Sequence, residues 1–219
     1  MLTNAVFIKI HKCSSQSVYG LLKGFSNMNN LDFIGAADYG VIRLQKMYKQ
    51  GIPPDRPCNI FAEHKEYNHK FFKWLIKDPI YFTFIREPLQ RAISHYYYYD
   101  FPRQRGKRES FIEHYHKNPS LRKNFISKFM GYTNIDDITL ENIRERYAFV
   151  GLTEKFKESI EKLEQTLNWE LPRPLTRRNT NNKTKPKNLQ IPEETKRLFI
   201  ENNSLDYKLY QLVSENFDK

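Results

Sequence analysis

Cysteine and long apolar runs are the scarcest features of this sequence. Its 219 residues include only two cysteines, Cys13 and Cys58, and no C-x-x-C pair, which excludes a disulfide framework and a cysteine zinc site. No run of about 18 apolar residues occurs, and the first residues lack the charged flank and apolar core of a signal peptide. We therefore expect a soluble, cytoplasmic protein without a membrane segment.

The chain length suits one folded domain, over residues 1–219, because a typical domain has about 150 residues. A chain of this length buries roughly 70% of the surface that it exposes when unfolded. With 39% hydrophobic and 15% aromatic residues, the composition can fill such a core. Wholesale disorder is therefore excluded.

Basic residues outnumber acidic ones by 36 to 25, which gives a net charge of +11. Many of them fall in two clusters. The first consists of Arg103, Arg105, Lys107 and Arg108, and the second consists of Arg173, Arg177, Arg178, Lys183, Lys185 and Lys187. The second cluster lies in residues 171–192, which contain no acidic residue. Such surfaces attract polyanions, whether nucleic acid, acidic polysaccharide, anionic lipid or a phosphorylated small molecule. An ordinary solvated basic face is the alternative.

Short apolar runs alternate with helical patterns along the chain. The first run, residues 5–10, predicts a strand, and apolar residues at i, i+3, i+4 and i+7 after it predict a helix. A second run, Ile80–Ile85, leads into a helix for which Pro88 suits the first position. Further strands are predicted at 59–62 and 147–152, and helices at 69–76, after Thr153 as the cap, from Pro192 and around 205–213. This order predicts an α/β fold with a parallel sheet flanked by helices, to which residues 109–146 add an entirely helical section.

The residues after the first predicted strand form an unusual turn, which reads I-H-K-C-S-S-Q-S-V over residues 10–18. Backbone N–H groups at a helix N-terminus, together with hydroxyls and the Lys12 ammonium, form a cradle for an anion. The turn is not a Walker A loop, since no glycine precedes Gly20 and Lys12 stands near its start. An ordinary polar loop with a capping serine is the alternative.

The turn after Ile80–Ile85 also carries anion-binding groups, at the end of a strand where α/β proteins bind ligands. Arg86 follows the strand, and Ser94 lies two turns into the next helix. Arg86 can form a forked pair with a phosphate that Ser94 also reaches if the helix folds back over the same ligand. A salt bridge of Arg86 to Glu87 is the alternative, and the four tyrosines at 96–99 are expected to be half-buried packing residues.

Together the two turns resemble the nucleotide-binding elements of sulfotransferases that use 3′-phosphoadenosine 5′-phosphosulfate (PAPS), in the carbohydrate branch with the heparan and uronyl 2-O-sulfotransferases. Residues 86–97 fit that family's R-[DE]-P-x-x-R-x-x-S-x-Y-Y pattern, with Glu87 where aspartate is commoner. V-G-L-T-E at 150–154 resembles its V-G-x-T-E step, and R-R-N-T at 177–180 resembles the loop that closes over the nucleotide. The resemblance implies the P-loop-like sheet of the sulfotransferase fold.

The resemblance also implies which residues bind PAPS. They fall on the first turn, where Cys13 replaces the usual threonine, on the second turn and on the closing loop: Lys12, Cys13, Ser14, Ser15, Gln16 and Ser17; Arg86 and Ser94; Arg178, Asn179 and Thr180. Residues 62–65, A-E-H-K, occupy the place of the family's histidine-bearing segment, which implies His64 as the catalytic base beside the acceptor, with Glu63 as the alternative base. The remaining histidines look ordinary, and no metal site is expected.

The implied reaction moves a sulfuryl group from PAPS to an acceptor hydroxyl, on a carbohydrate, and releases adenosine 3′,5′-bisphosphate. Lys12 would neutralise charge on the departing phosphate and His64 would take the acceptor's proton, without a metal. The basic clusters favour an anionic glycan as the acceptor, and no nucleic-acid partner is expected. A basic nucleic-acid-binding module and, less favoured, a P-loop kinase are the alternatives.

Overall fold

The computed structural model describes residues 3–35, 40–104, 106, 108–120, 123–174, 185–186 and 188–218. A parallel sheet lies at its centre, with the strand order β2-β3-β1-β4-β5. The strands are β1 (Ala5–Ile8), β2 (Phe33–Gly35), β3 (Ile60–Glu63), β4 (Ile80–Ile85) and β5 (Phe149–Leu152). The predicted α/β fold with a parallel sheet is confirmed.

Helices cover both faces of this sheet. They are α1 (Ser15–Met28), α2 (Gly40–Lys49), α3 (His69–Leu75), α4 (Pro88–His95), α5 (Phe111–Lys117), α6 (Phe125–Phe129), α7 (Leu140–Arg146), α8 (Phe156–Leu167), α9 (Glu193–Asn202) and α10 (Ser204–Glu215). A π-helical turn (Tyr96–Asp100) and a 3-10 turn (Phe101–Arg103) continue α4. In the described part of the chain, no helix has both the length and the apolar character needed to span a bilayer.

Alternate residues of β1 enter two different apolar cores. Phe7 packs with residues of α1 and α8, whereas Val6 and Ile8 pack with residues of α3 and α10. All four residues of the strand are buried, which explains why it reads as a continuous apolar run rather than an alternating one. A third core joins α4 to α5 and α9.

The register of the strands decides where their following loops meet. Ile8 pairs with Glu63 on one side and with Thr83 on the other, and Ile85 pairs with Leu152. Because the strands are parallel, the segments that follow them converge at one edge of the sheet. The two anion-binding turns and the segment of His64 are therefore neighbours.

Several predicted elements have different bounds or do not form. Residues 109–146 are not entirely helical: α5 ends before Pro119, which disfavours helical geometry in the residue before it, and α6 ends at Phe129, two residues before Gly131, whose φ is 79°. Thr153 does not cap α8, because that helix begins only at Phe156 and has no side-chain cap. The strand predicted at 5–10 ends at Ile8, since neither β3 nor β4 pairs with the chain beyond that residue. Strand β2 and helix α2 were not predicted. The three residues of β2 are too few to show the alternation that is typical of a strand.

Candidate active site

The turn between β1 and α1 adopts left-handed backbone geometry without glycine. Lys12 has φ 67° and Ser14 has φ 54°, a region that is costly for residues with a Cβ and that is enriched at functional sites. Ser15 and Ser17 are buried, whereas Gln16 is exposed. The turn thus reaches the geometry of an anion-binding loop with different residues from those of a Walker A loop.

The polar groups of this turn are arranged for a ligand. The Oγ atom of Ser14 is buried and has no hydrogen-bond partner among the described residues. In the first turn of α1 the N–H of Ser17 donates to the Ser14 carbonyl at 2.9 Å, whereas the N–H groups of Ser15 and Gln16 precede the first intrahelical acceptor. The positive end of the helix dipole lies at the same place. An anion bound here would satisfy groups that the protein leaves open.

Cys13 is the exception in this turn, because its side chain belongs to the core. It is fully buried, and burial raises the pKa of its thiol to about 12, although the nearby Arg91 and Arg86 guanidinium groups act in the opposite direction. The thiol therefore stays protonated and cannot act as a nucleophile at neutral pH. Of the predicted ligands in the first turn, Cys13 can contribute its backbone alone.

Lys12 lies against the π-helical turn that follows α4. Its Nζ atom is 3.7 Å from the centroid of the Tyr98 ring, a cation–π contact. π-Helical turns occur often at functional sites, and this one divides the four tyrosines. Tyr96 and Tyr97 are buried, as expected of packing residues, while Tyr98 is exposed and Tyr99 faces the histidines described next.

His64 follows β3 and has a fixed tautomer. Its Nδ1 atom lies 2.5 Å from the carbonyl oxygen of Lys9, and because a carbonyl can only accept, Nδ1 carries the proton and Nε2 carries the lone pair. Burial, with smaller contributions from His11 and Lys9, lowers the pKa of His64 to about 3. The ring is therefore neutral at physiological pH, as a general base must be.

Glu63, the alternative base, contacts the backbone of His64. Its Oε1 atom accepts the backbone N–H of His64 at 2.6 Å. The carboxylate thus helps to fix the backbone of the histidine.

Two further histidines, for which the sequence predicts no role, lie in the site. The ring of His11 is stacked on that of His64, with centroids 3.6 Å apart and planes 2° apart. His95 meets His11 edge-on at 5.9 Å, and its Nδ1 atom is 3.5 Å from the Asp100 carboxylate. A position directly beside Lys12, at the end of a buried strand, was the available signal for His11. No cluster of metal-ligating side chains is found within the described ranges.

Arg86 has no acidic partner in the described part of the chain, although Glu87 is its neighbour. Glu87 instead caps α4: its carboxylate accepts the N–H groups of Leu89 at 3.1 Å and Gln90 at 2.6 Å. The salt bridge considered for Arg86 is thus not formed with Glu87. The guanidinium group remains available for an anion.

Ser94 lies on α4, four residues before Tyr98, so the two residues share a helix face. Tyr98 contacts Lys12, which indicates that this face looks toward the first turn. Ser94 is partly exposed. Both turns can therefore contribute to one elongated anion site.

The V-G-L-T-E segment connects β5 to the second turn. The Oε1 atom of Glu154 accepts the backbone N–H of Glu87 at 3.0 Å, and the N–H of Thr153 donates to Ile85 at 2.8 Å. The hydroxyl of Thr153 is buried and unpaired within the described residues. Thr153 and Glu154 thus belong to the strand end rather than to the start of α8.

Three predicted nucleotide ligands lie outside the described residues: Arg178, Asn179 and Thr180. The same basic stretch is represented by Lys185, which lies close to Arg86. Burial lowers the pKa of Lys185, and the Arg86 charge lowers it further. Lys185 itself therefore lies near the second turn.

Comparison with known proteins agrees with this geometry. A family model described as galactose-3-O-sulfotransferase matches residues 2–218. Galactose-3-O-sulfotransferase 2 of Sus scrofa is 26% identical, over 99% of this chain and 61% of the relative. Human uronyl 2-sulfotransferase is 25% identical over 65% of the chain and 34% of the relative, and heparan sulfate 2-O-sulfotransferase of Caenorhabditis elegans is 31% identical over 44% and 37%.

The cytoplasmic location expected from the sequence is wrong. The relatives are Golgi-type carbohydrate sulfotransferases, which are membrane-anchored enzymes of the lumen. The chain spans between 50% and 61% of the length of the galactose-3-O-sulfotransferases that it matches. The expectation rested on the first residues and on the lack of a long apolar run in a chain that matches only part of the length of its relatives.

The resemblance to carbohydrate sulfotransferases that the motifs carry is confirmed. The comparisons support neither a kinase nor a nucleic-acid-binding module. Since the family model extends over nearly the whole sequence, the chain belongs to the galactose-3-O-sulfotransferase family.

Proposed function

We propose that this chain transfers a sulfuryl group from PAPS to a hydroxyl group of a glycan and releases adenosine 3′,5′-bisphosphate. The observation that carries the proposal is the meeting, at one edge of the sheet, of two anion-binding turns and a neutral histidine. Lys12 and Arg86 supply the positive charge of the two turns, and His64 supplies the lone pair. The names of the family and of its members support transfer to a sugar.

The residues present fit the donor. The buried and unpaired hydroxyl of Ser14 and the first N–H groups of α1 suit a phosphosulfate. Arg86, which has no carboxylate partner in the described ranges, suits the 3′-phosphate, because a guanidinium group binds phosphate in a fork. Ser94 would add a hydroxyl donor to that phosphate.

His64 and Lys12 have separate roles in the proposed reaction. When bound, PAPS supplies the sulfuryl group, whose bond to a phosphate oxygen breaks while a bond to the acceptor oxygen forms. The Nε2 lone pair of His64 accepts the proton of the acceptor hydroxyl, and the Lys12 ammonium neutralises the charge that collects on the phosphate side. Charge stabilisation and positioning dominate catalysis in group transfers with loose transition states.

Calorimetry tests the nucleotide assignment. Adenosine 3′,5′-bisphosphate is expected to bind more tightly than adenosine 5′-monophosphate, ATP with Mg²⁺ or duplex DNA. Arg86→Ala and Ser94→Ala should each weaken binding of the bisphosphate about tenfold or more, because charge-assisted hydrogen bonds contribute about 1.5–3 kcal/mol. Binding of the 5′-monophosphate should stay unchanged.

The matched control is Lys23→Ala, which removes an exposed cation from α1 and should change neither affinity. Equal affinity of the parent for the bisphosphate and the monophosphate would contradict the assignment of the second turn. Preference for ATP with Mg²⁺ would favour a kinase instead.

For the acceptor we propose an anionic glycan. Arg103 and Arg108 are exposed, and the Arg103 guanidinium lies 5.8 Å from the centroid of the Tyr99 ring. Tyr99 in turn meets the His11 ring at 5.7 Å, and His11 is stacked on His64. A row of contacts therefore joins the basic surface to the proposed base, and it suits a substrate that carries carboxylate or sulfate groups.

Removal of these two arginines tests the acceptor class. In the double variant Arg103→Ala/Arg108→Ala, KM for a uronic-acid-containing glycan should rise several-fold and depend less on salt, because exposed charges mainly steer association. The donor's affinity and kcat should change little. The control is Lys23→Ala/Lys73→Ala, which removes two exposed cations from α1 and α3. A KM that is insensitive to salt in parent and variant alike would indicate a neutral acceptor.

A further inference from the structure

Two carboxylates belong to the turn that carries Arg86: Glu87 follows it in the chain, and Glu154 is hydrogen-bonded to the backbone N–H of Glu87. Within the described residues, neither forms an ion pair with Arg86. The first, Glu87, accepts two N–H groups at the start of α4 and also the hydroxyl of Tyr207, whose Oη atom is 2.8 Å from Oε1. The second, Glu154, accepts the backbone N–H of Glu87 and interacts with the hydroxyl of Tyr210, whose pKa it raises. Each carboxylate thus interacts with a tyrosine of α10.

The tyrosine hydroxyls act as donors in these contacts. Burial and the neighbouring Glu87 carboxylate raise the pKa of Tyr207, and burial with Glu154 and Glu87 raises the pKa of Tyr210 to about 12. Both hydroxyls therefore keep their protons at physiological pH. A phenol can then donate to a carboxylate oxygen that would otherwise be open to Arg86.

Helix α10 is fixed firmly enough to hold these donors in place. Asp206, which is buried, accepts the backbone N–H groups of Ile126 at 3.0 Å and Ser127 at 2.8 Å. Leu209 and Val213 enter the core below the sheet. Tyr207 and Tyr210 are three residues apart and so lie on the same side of the helix, facing the second turn.

We propose that Tyr207 and Tyr210 are positioning residues for 3′-phosphate recognition, because their hydroxyls hold the Glu87 and Glu154 carboxylates away from the Arg86 guanidinium. This inference rests on the proposed function, in which Arg86 binds the 3′-phosphate. Without the hydroxyls, a carboxylate beside Arg86 gains a free oxygen lone pair and competes with the phosphate for the guanidinium group. The Glu87 side chain, one methylene longer than that of aspartate, both caps α4 and accepts the Tyr207 hydroxyl.

The test measures affinities for two nucleotides by calorimetry. Tyr207→Phe is expected to weaken adenosine 3′,5′-bisphosphate about five- to tenfold and Tyr207→Phe/Tyr210→Phe more, with adenosine 5′-monophosphate unchanged, in line with loss of a charge-assisted contact. At saturating donor, kcat should equal that of the parent. Tyr132→Phe is the matched control: its hydroxyl donates to the Asn142 carbonyl at 3.0 Å, in a different region of the fold.

Charge removal separates positioning from simple loss of packing. Adding Glu87→Gln to Tyr207→Phe should restore most of the bisphosphate affinity, since a neutral amide does not compete for Arg86. Weakening of both nucleotides to the same extent, or failure of the glutamine to rescue, would overturn the inference and leave a purely structural role.

The variant Arg86→Ala distinguishes a failure of the positioning role from a failure of the proposed function. If Arg86→Ala lowers the ratio of bisphosphate to monophosphate affinity and Tyr207→Phe does not, the positioning role is wrong while the proposed function stands. If Arg86→Ala itself leaves that ratio unchanged, the proposed function fails at the second turn, and this inference fails with it.

Discussion

Replacing Lys12 with alanine is expected to lower kcat of sulfuryl transfer about 10²–10³-fold, while the bisphosphate product still binds. Lys12 lies three residues before the start of α1, and removal of one stabilising donor of this kind typically lowers kcat about 10²–10³-fold, which corresponds to about 3–4 kcal/mol. Binding should survive because backbone N–H groups of the turn and Arg86 hold the nucleotide independently.

The measurement is steady-state transfer together with calorimetry of the bisphosphate. Lys23→Ala, eleven positions further along the chain and exposed on α1, is the matched control and should keep parental kcat. Tyr98→Phe keeps the ring that Lys12 contacts and should also stay close to the parent. Near-parental turnover of Lys12→Ala would show that the first turn is an ordinary polar loop.

The second large effect is expected from His64→Ala, in which kcat should fall by a factor of about 10²–10⁴, the usual contribution of a general base. Nucleotide affinity should be nearly unchanged, because the Nε2 atom serves the acceptor. Glu63→Gln is the control. Its amide oxygen can still accept the backbone N–H of His64 that the carboxylate now accepts, so most of the activity should remain. If Glu63→Gln loses the rate and His64→Ala keeps it, the base is the glutamate.

The pH dependence of the parent enzyme follows from the structure and differs from that of an exposed histidine. The neutral ring is the active form, and burial lowers the pKa of His64 to about 3, well below the ordinary value of about 6.5. Activity should therefore not fall as the pH drops through about 6.5, where an unperturbed base would lose its lone pair. A fall centred there, absent in His64→Ala, would contradict the burial of this ring.

The lowered pKa of His64 also makes the stability of the fold depend on pH. The unfolded chain binds a proton at His64 below about pH 6.5, whereas the folded protein keeps the ring neutral down to about pH 3. Because the unfolded state binds more protons in this window, stability is lost as the pH falls through it. His64→Phe, which cannot be protonated, should flatten that part of the pH–stability curve, as denaturant unfolding would show.

The sequence was most informative where a short apolar run ends in polar residues. Ile80–Ile85 was located to the residue, because six apolar or β-branched residues lie between Pro79 and the R-E-P turn. The first turn was recognised for the same reason. The run at 5–10 was predicted two residues too long, since its apolar character continues to Ile10 although the strand ends at Ile8. An apolar run indicates that its residues are buried, whereas the pairing with neighbouring strands determines where the hydrogen-bonded strand ends.

Predictions from sequence patterns were wrong where a single residue interrupts a helical stretch or where local position alone suggested a helix cap. The stretch 109–146 has helical composition, yet Pro119 and Gly131 divide it into α5, α6 and α7. Thr153 resembles a helix cap by its position, but the backbone there is still engaged with β4 through Ile85. In each case the backbone conformation in the fold, and not the helical pattern of the local sequence, determined the structure.

The sequence by itself determined the fold class, the family and the two turns, because these depend on residue types placed directly after apolar strands. The tertiary structure decided which groups face one another. His64 is 55 residues from Lys9, yet the pairing of β1 with β3 brings its Nδ1 atom within 2.5 Å of that carbonyl. Tyr207 is 120 residues from Glu87 and donates to it across 2.8 Å. Tautomer, pKa and the freedom of Arg86 are properties of such long-range contacts and of burial, which local sequence does not contain.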